Sequence, residues 1–117
     1  MTKMLCGYRV LDITQFVAGP TCSRLMAELG ADVIKVELTP IGDHARRSGL
    51  KSRKKEYANC TQSTYFAQHN HSKRSLAINL KSNKGQALIK KLIERSDVLV
   101  ENFAPGVIGR MGLSYDE

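Results

Sequence analysis

Short apolar runs alternate with stretches of helical period along this chain. Tyr8-Arg9-Val10-Leu11-Asp12-Ile13, bounded by Gly7 and followed by Gly19-Pro20, is β-branched and apolar enough to predict a buried strand. Leu25, Met26 and Leu29 then recur at helical spacing, with Pro20 or Thr21 at the start and Gly30 where a helix ends in left-handed geometry. Ala31-Asp32-Val33-Ile34-Lys35-Val36-Glu37 predicts a second strand, stopped by Thr39-Pro40. Ser75-Leu76-Ala77-Ile78-Asn79-Leu80 alternates as a third strand, and Ala87, Leu88, Lys91, Leu92 and Ile93 form a helical stripe opened near Ser82-Asn83. Val98-Leu99-Val100-Glu101 predicts a further strand. Strands that alternate with helices through short loops point to parallel βαβ units, so the expected class is α/β with an open sheet.

Two segments break this rhythm. From Leu38 to about Ser63 no period is sustained: Pro40, Gly42 and Gly49 punctuate the stretch, and Arg46, Arg47, Lys51, Arg53, Lys54 and Lys55 follow one another without an acidic residue between them. A long basic loop with room for one helical turn is expected, and loops beyond about 12 to 15 residues in a compact domain usually have a task or a partner. At the far end, Ser114-Tyr115-Asp116-Glu117 fits the S-x-x-E capping box that opens a helix. The natural chain is therefore expected to continue, and these residues alone, with a strand edge uncovered, to aggregate.

Composition narrows the class without choosing a function. The 117 residues, 42% hydrophobic and 25% charged, suit one globular domain with a modest core. No apolar stretch approaches the roughly 18 to 20 consecutive residues of a membrane span. The start, Met1-Thr2-Lys3-Met4-Leu5-Cys6-Gly7, lacks the apolar run of a secretory signal. Cys6, Cys22 and Cys60 are odd in number and unrelated in spacing, which argues for a reducing, cytoplasmic setting. The formal charge of +7 favours an anionic partner, whether nucleic acid, membrane surface or a phosphorylated small molecule.

In an open α/β sheet, ligands bind at the carboxyl ends of the strands. Thr14-Gln15-Phe16-Val17-Ala18-Gly19-Pro20 leads there into a helix start, whose free amides suit phosphate, yet it holds neither G-x-G-x-x-G nor a Walker lysine. Glu101-Asn102-Phe103-Ala104-Pro105-Gly106, with Arg110-Met111-Gly112, groups an amide, a ring, a guanidinium and a thioether. Phe and Met can wall a purine while Arg pairs with phosphate; equally, Phe103 and Met111 can be core and Arg110 solvated. His69-Asn70-His71, with Cys60 and Asp43-His44 upstream, lacks the spacing of a zinc site and reads as loop, so no metal is expected. The basic run from Arg46 to Lys55 has only Tyr57 near it and no nucleic-acid motif, which disfavours that partner.

Four blocks, V-L-D-I-T-Q-F-V-A-G-P, G-A-D-V-I-K-V-E-x-x-x-x-G-D-x-x-R, N-x-x-K-R-S-L-A-I-N-L-K and S-D-V-L-V-E-N-F-x-P-G-V-I-x-R-M-G-L, resemble the start of the class III CoA-transferases, the family of formyl-CoA transferase and carnitine CoA-transferase. The match runs over nearly the whole chain, with the blocks in the right order and at the right separations. The resemblance implies a two-domain enzyme of about three times this size, an interlocked homodimer, with residues 1–117 forming the N-terminal part of its large Rossmann-like domain. It implies acyl-CoA and a carboxylic acid as substrates, no permanently bound cofactor, and an aspartate beyond Glu117 that attacks the thioester. It puts coenzyme A against Ile78, Asn79, Leu80, Lys81, Asn102, Phe103, Ala104 and Arg110. Arg110 and Lys81 would meet phosphates, Phe103 and Met111 would wall the base, and Ala18 would lie along the pantetheine. Asp12 and Asp32 would be structural. Formyl-CoA transferases carry Gln at the position of Val17 and Arg at that of Leu38, so another acyl group is as reasonable. α-Methylacyl-CoA racemase, which shares this front domain and exchanges a proton next to the thioester, is the alternative within the resemblance. A non-catalytic nucleotide- or nucleic-acid-binding module is the alternative from another class.

Overall fold

Four strands, β1 (Arg9–Asp12), β2 (Asp32–Leu38), β3 (Arg74–Ile78) and β4 (Val98–Val100), form one parallel sheet in the order β3-β2-β1-β4 in the computed structural model, which describes residues 2–49 and 63–116. Leu11 lies opposite Ile34 on one side and Leu99 on the other, and Val36 lies opposite Leu76. Helix α1 (Ala18–Glu28) joins β1 to β2, and α3 (Asn83–Ile93) joins β3 to β4. A short 3-10 helix (His44–Arg47) and α2 (Thr64–Asn70) lie between β2 and β3, and α4 (Val107–Arg110) follows β4. The α/β open sheet expected from the periodicity is the fold observed, with each strand boundary within one residue of its reading at the start and two at the end.

The two sheet faces differ in chemistry. Leu11, Ile13, Val36, Ile78 and Leu80 pack with Ile89 of α3 and with Leu113 into the larger core cluster. On the opposite face Val10 and Val33 meet Ala27 and Ala31 at the end of α1. That second cluster covers only the amino-terminal half of its face. Towards the carboxyl edge the same side of the strands carries Asp12, Lys35 and Glu37, which are 0%, 1% and 5% exposed. Strands covered on both sides read as continuous apolar runs, which is why Val10 and Leu11 identified β1 so readily.

Helix starts follow their local chemistry. Ser82 Oγ accepts the Gly85 amide at 3.0 Å and opens α3, as expected from Ser82-Asn83. Helix α1 begins at Ala18, ahead of the expected start; Pro20 sits in its first turn, where a missing N–H costs no intrahelical bond. The expectation of a loop at His69-Asn70-His71 is corrected: His69 and Asn70 end α2. Phe66 supplies almost all of that helix's apolar face, so periodicity could not signal it. Ser63 Oγ caps it through the Phe66 amide at 3.0 Å, and His69 Nδ1 lies 3.0 Å from Thr21 Oγ1 of α1. Within the expected capping box, Tyr115 and Asp116 form a turn, and Glu117 lies outside the described residues. Of the basic run only Arg46 and Arg47 are described; Lys51, Arg53, Lys54, Lys55 and Cys60 lie outside the described residues.

Candidate functional site

The strand order reverses direction between β1 and β4, since β2 and β3 build outward on one side of β1 and β4 on the other. That switch point is the crevice where open α/β sheets take ligands. Two loops meet there. Asn102, just after β4, clasps Gln15, just after β1: its Oδ1 accepts the Gln15 amide at 3.0 Å and its Nδ2 donates to the Gln15 carbonyl at 2.8 Å. Ile13 donates to the Val100 carbonyl at 3.0 Å and extends the strand pairing up to this clasp.

Beneath the loops lies a buried ionic layer. Asp12 accepts Lys73 Nζ at 2.9 Å, Ser23 Oγ at 2.6 Å, the Thr14 amide at 2.9 Å and the Thr14 hydroxyl. Burial alone would raise the Asp12 carboxyl, but the charges of Lys35 and Lys73 and the hydroxyls of Ser23 and Thr14 hold it below the ordinary aspartate value. Burial pulls the Lys73 ammonium below its ordinary value despite the attraction of Asp12. Lys35 Nζ donates to the Thr14 carbonyl at 2.9 Å and pairs with Asp43 Oδ2 at 2.8 Å. Glu37 takes Arg46 with both oxygens at 2.6 Å, together with Ser75 Oγ and the Asp43 amide. Its burial would raise the carboxyl, but these donors outweigh that and bring it down to about 2.

Of the residues expected at the site, Ala18 is exposed at the first residue of α1, and the Val17 before it caps that helix with no side-chain bond. Asn79 and Lys81 are exposed in the turn between β3 and α3, where Asn79 Oδ1 accepts the Lys81 amide at 3.0 Å. Ile78 and Leu80 bracket that turn as residues only 4% and 2% exposed, inside the larger core. In this segment Asn79 and Lys81 are the residues open to a ligand, which corrects the expectation that Ile78 and Leu80 face it. Asn102 and Ala104 are exposed beyond β4, Phe103 and Met111 are half-buried against the core, and Arg110 is exposed at the end of α4. The positions therefore spread along the whole carboxyl edge, over about 14 Å at the usual strand spacing of about 4.8 Å. Gly85 permits one close approach there: a Cβ on it would stand 1.9 Å from the Asn79 carbonyl oxygen. Among the described residues no group of three or more His, Cys, Asp or Glu side chains is placed to hold a metal ion, and no helix is long and apolar enough to cross a membrane.

The sequence model of CoA-transferase family III matches residues 5–117. The chain belongs to CoA-transferase family III. It is 45% identical over its whole length to the formyl-CoA:oxalate CoA-transferase of Bradyrhizobium diazoefficiens, of which it covers 26%, and 46% identical, with the same coverage, to that of Rhodopseudomonas palustris (strain BisB18). Among solved structures, a CAIB/BAIF family protein of Brucella suis superposes with a TM-score of 0.83 at 30% identity, over 99% of this chain and 30% of that one. The chain spans about a quarter of the length of the curated relatives it matches.

Sequence reasoning missed the ionic layer of this family III domain. The resemblance makes Asp12 structural, but it gives Lys35, Asp43 and Lys73 no place. The signal was present in V-I-K-V-E: a lysine inside a run that reads as a strand buried on both faces must find a buried partner. The partner itself, Asp43, sits beyond Thr39-Pro40 in a segment without period, and no spacing rule connects the two.

Proposed function

We propose that this domain is the coenzyme A-binding front part of an acyl-CoA:carboxylate CoA-transferase. The observation that carries this reading is the family III match over residues 5–117, supported by exposed cations at the carboxyl edge of the sheet. Coenzyme A lies along that edge. Arg110 and Lys81 pair with its phosphates, Phe103 and Met111 wall the base, Asn79 and Ala104 line its course, and Ala18 borders the pantetheine. Arginine suits the phosphate because its planar fork binds two oxygens at once. Asn102 holds the Gln15 loop open at the thioester end.

The chemistry needs a carboxylate nucleophile, a role assigned to no residue of this chain. It attacks the acyl-CoA thioester and expels the CoA thiolate, giving a mixed anhydride. The thiolate attacks the enzyme's carbonyl of that anhydride, releasing the first acid and leaving an enzyme-CoA thioester; the acceptor carboxylate attacks this thioester and expels the thiolate, and the thiolate attacks the acceptor carbonyl of the second anhydride, giving the new acyl-CoA and freeing the enzyme carboxylate. Formyl-CoA and oxalate, named for the relatives, are the first substrates to try. The whole enzyme works as an interlocked homodimer in the cytoplasm, with no membrane or nucleic-acid partner and no resident cofactor.

The test is calorimetric titration of coenzyme A into the whole polypeptide and into its Arg110→Ala variant. A direct phosphate contact predicts a loss of about 1.5 to 3 kcal/mol in binding. Unchanged affinity removes Arg110 from the site, and absence of binding by the unsubstituted protein overturns the reading. Proton exchange next to the thioester without CoA transfer would assign the racemase reaction instead.

A further inference from the structure

Residues 14–16 belong to no helix or strand, yet five of their backbone groups are held by side chains. Asp12 takes the Thr14 amide, Lys35 donates to the Thr14 carbonyl, Asn102 holds both polar groups of Gln15, and Asp43 Oδ1 accepts the Phe16 amide at 3.3 Å. The shape of this loop is thus dictated from outside it. Phe16 stands at φ 66°, a left-handed conformation that a bulky side chain keeps only where its surroundings impose it. The same Asp43 oxygen accepts the Ala45 amide at 2.8 Å, which ties the loop to the 3-10 helix. The ring of His44 accordingly stacks on Phe16, with centroids 5.6 Å apart and planes 9° from parallel.

A buried ion pair adds little net stability compared with apolar residues of the same volume. Lys35 and Asp43, about 1% and 2% exposed, therefore call for another account of their presence. Resting on the function proposed above, we infer that Lys35 and Asp43 are a positioning pair for CoA transfer. They fix the backbone of residues 14–16 and so the direction of the uncapped first turn of α1, beside which the thioester end of coenzyme A is proposed to lie. Neither side chain touches substrate; each acts through the loop.

The test uses the double variant Lys35→Met/Asp43→Asn in the whole polypeptide, which leaves no unpaired buried charge and keeps an acceptor for the Phe16 amide. Expected are a near-normal melting temperature, a coenzyme A dissociation constant close to that of the unsubstituted protein, and kcat for transfer from formyl-CoA to oxalate lowered on the order of 10- to 100-fold. Amide exchange across residues 14–18 speeds up, and added coenzyme A no longer slows it as it does in the unsubstituted protein. Unchanged kcat together with unchanged exchange overturns the inference while leaving the functional reading intact. Failure of the unsubstituted protein to bind coenzyme A overturns the functional reading and the inference with it. If the unsubstituted protein binds coenzyme A but does not use formyl-CoA, the exchange response to coenzyme A decides. Should the double variant not fold, the charge-conserving Asp43→Glu variant, which keeps a partner for Lys35 but moves the carboxylate off the Phe16 amide, is judged by the same measurements, and normal exchange and turnover there also refute the pair's role.

Discussion

Replacing Lys73 by Met removes one charge from the buried layer while keeping most of the side-chain volume. The Lys73 ammonium makes three bonds of 2.9 Å, to Asp12 Oδ2, the Pro20 carbonyl and Asn70 Oδ1, and its side chain is 1% exposed. Removal of one member of a buried pair typically costs about 3 to 5 kcal/mol, because the remaining charge stays in a poor solvent. Here Asp12 keeps Ser23, Thr14 and the field of Lys35, which points to the lower end, about 3 kcal/mol. Urea unfolding followed by circular dichroism near neutral pH measures the difference. The pH course supplies a second check. The depressed Asp12 carboxyl contributes stability above its unfolded value of 3.8, and that contribution is lost as pH falls through its lower folded value. The gap between the two proteins should therefore narrow in acid. A cost under about 1 kcal/mol, or a gap independent of pH, would refute the assignment of Lys73 as the charge that holds Asp12.

Two further outcomes follow from the geometry. Gly85→Ala puts a Cβ 1.9 Å from the Asn79 carbonyl oxygen, so α3 must shift from the Asn79–Lys81 turn. Destabilisation of about 1 to 3 kcal/mol is expected from the overpacking, with weaker coenzyme A binding, and a variant of normal stability would show that the turn yields freely. Glu37, held at about 2, stabilises the fold above its ordinary value of 4.5 and loses that contribution as pH falls towards 2. Glu37→Gln should flatten the acid limb of the stability curve between those values, and an unchanged acid limb would exclude it as the titrating group.

The fold was legible because its strands are short apolar runs and its turns carry distinctive residues. Val10 and Leu11, and Val33 and Val36, are buried on opposite faces of the sheet, and Ser82 caps α3 where a serine before the helical stripe predicts it. Helix α2 was not legible, because it is held by a contact across the fold, His69 to Thr21, more than by an apolar stripe of its own. The site divides in the same way. The loops after each strand mark the ligand edge by topology alone, so Asn102 and Arg110 could be placed there from the sequence. That the side chains of Ile78 and Leu80 turn inward follows from packing against Ile89 and Leu113, which the turn's own sequence does not encode.

Charge illustrates why composition was a poor guide to the partner. The excess of +7 suggests a surface made for anions, yet many of the basic residues are already occupied. Lys35 pairs with Asp43, Lys73 with Asp12 and Arg46 with Glu37 inside the fold, while Arg9 and Arg74 share Asp32 outside it. Hydrogen bonds from Arg9, then from Arg74, keep the Asp32 carboxyl below its ordinary value, so that pair persists into mild acid. Lys81 and Arg110, by contrast, stand exposed at the carboxyl edge with no carboxylate at ion-pair distance among the described residues. A phosphate that binds them displaces no internal partner, whereas recruiting Arg9 or Arg74 would mean breaking bonds of 2.6 to 2.8 Å to Asp32. The total charge therefore overstates the basic surface available to an anion, and the proposed phosphate contacts rest on the position of Lys81 and Arg110 at the sheet edge rather than on that total.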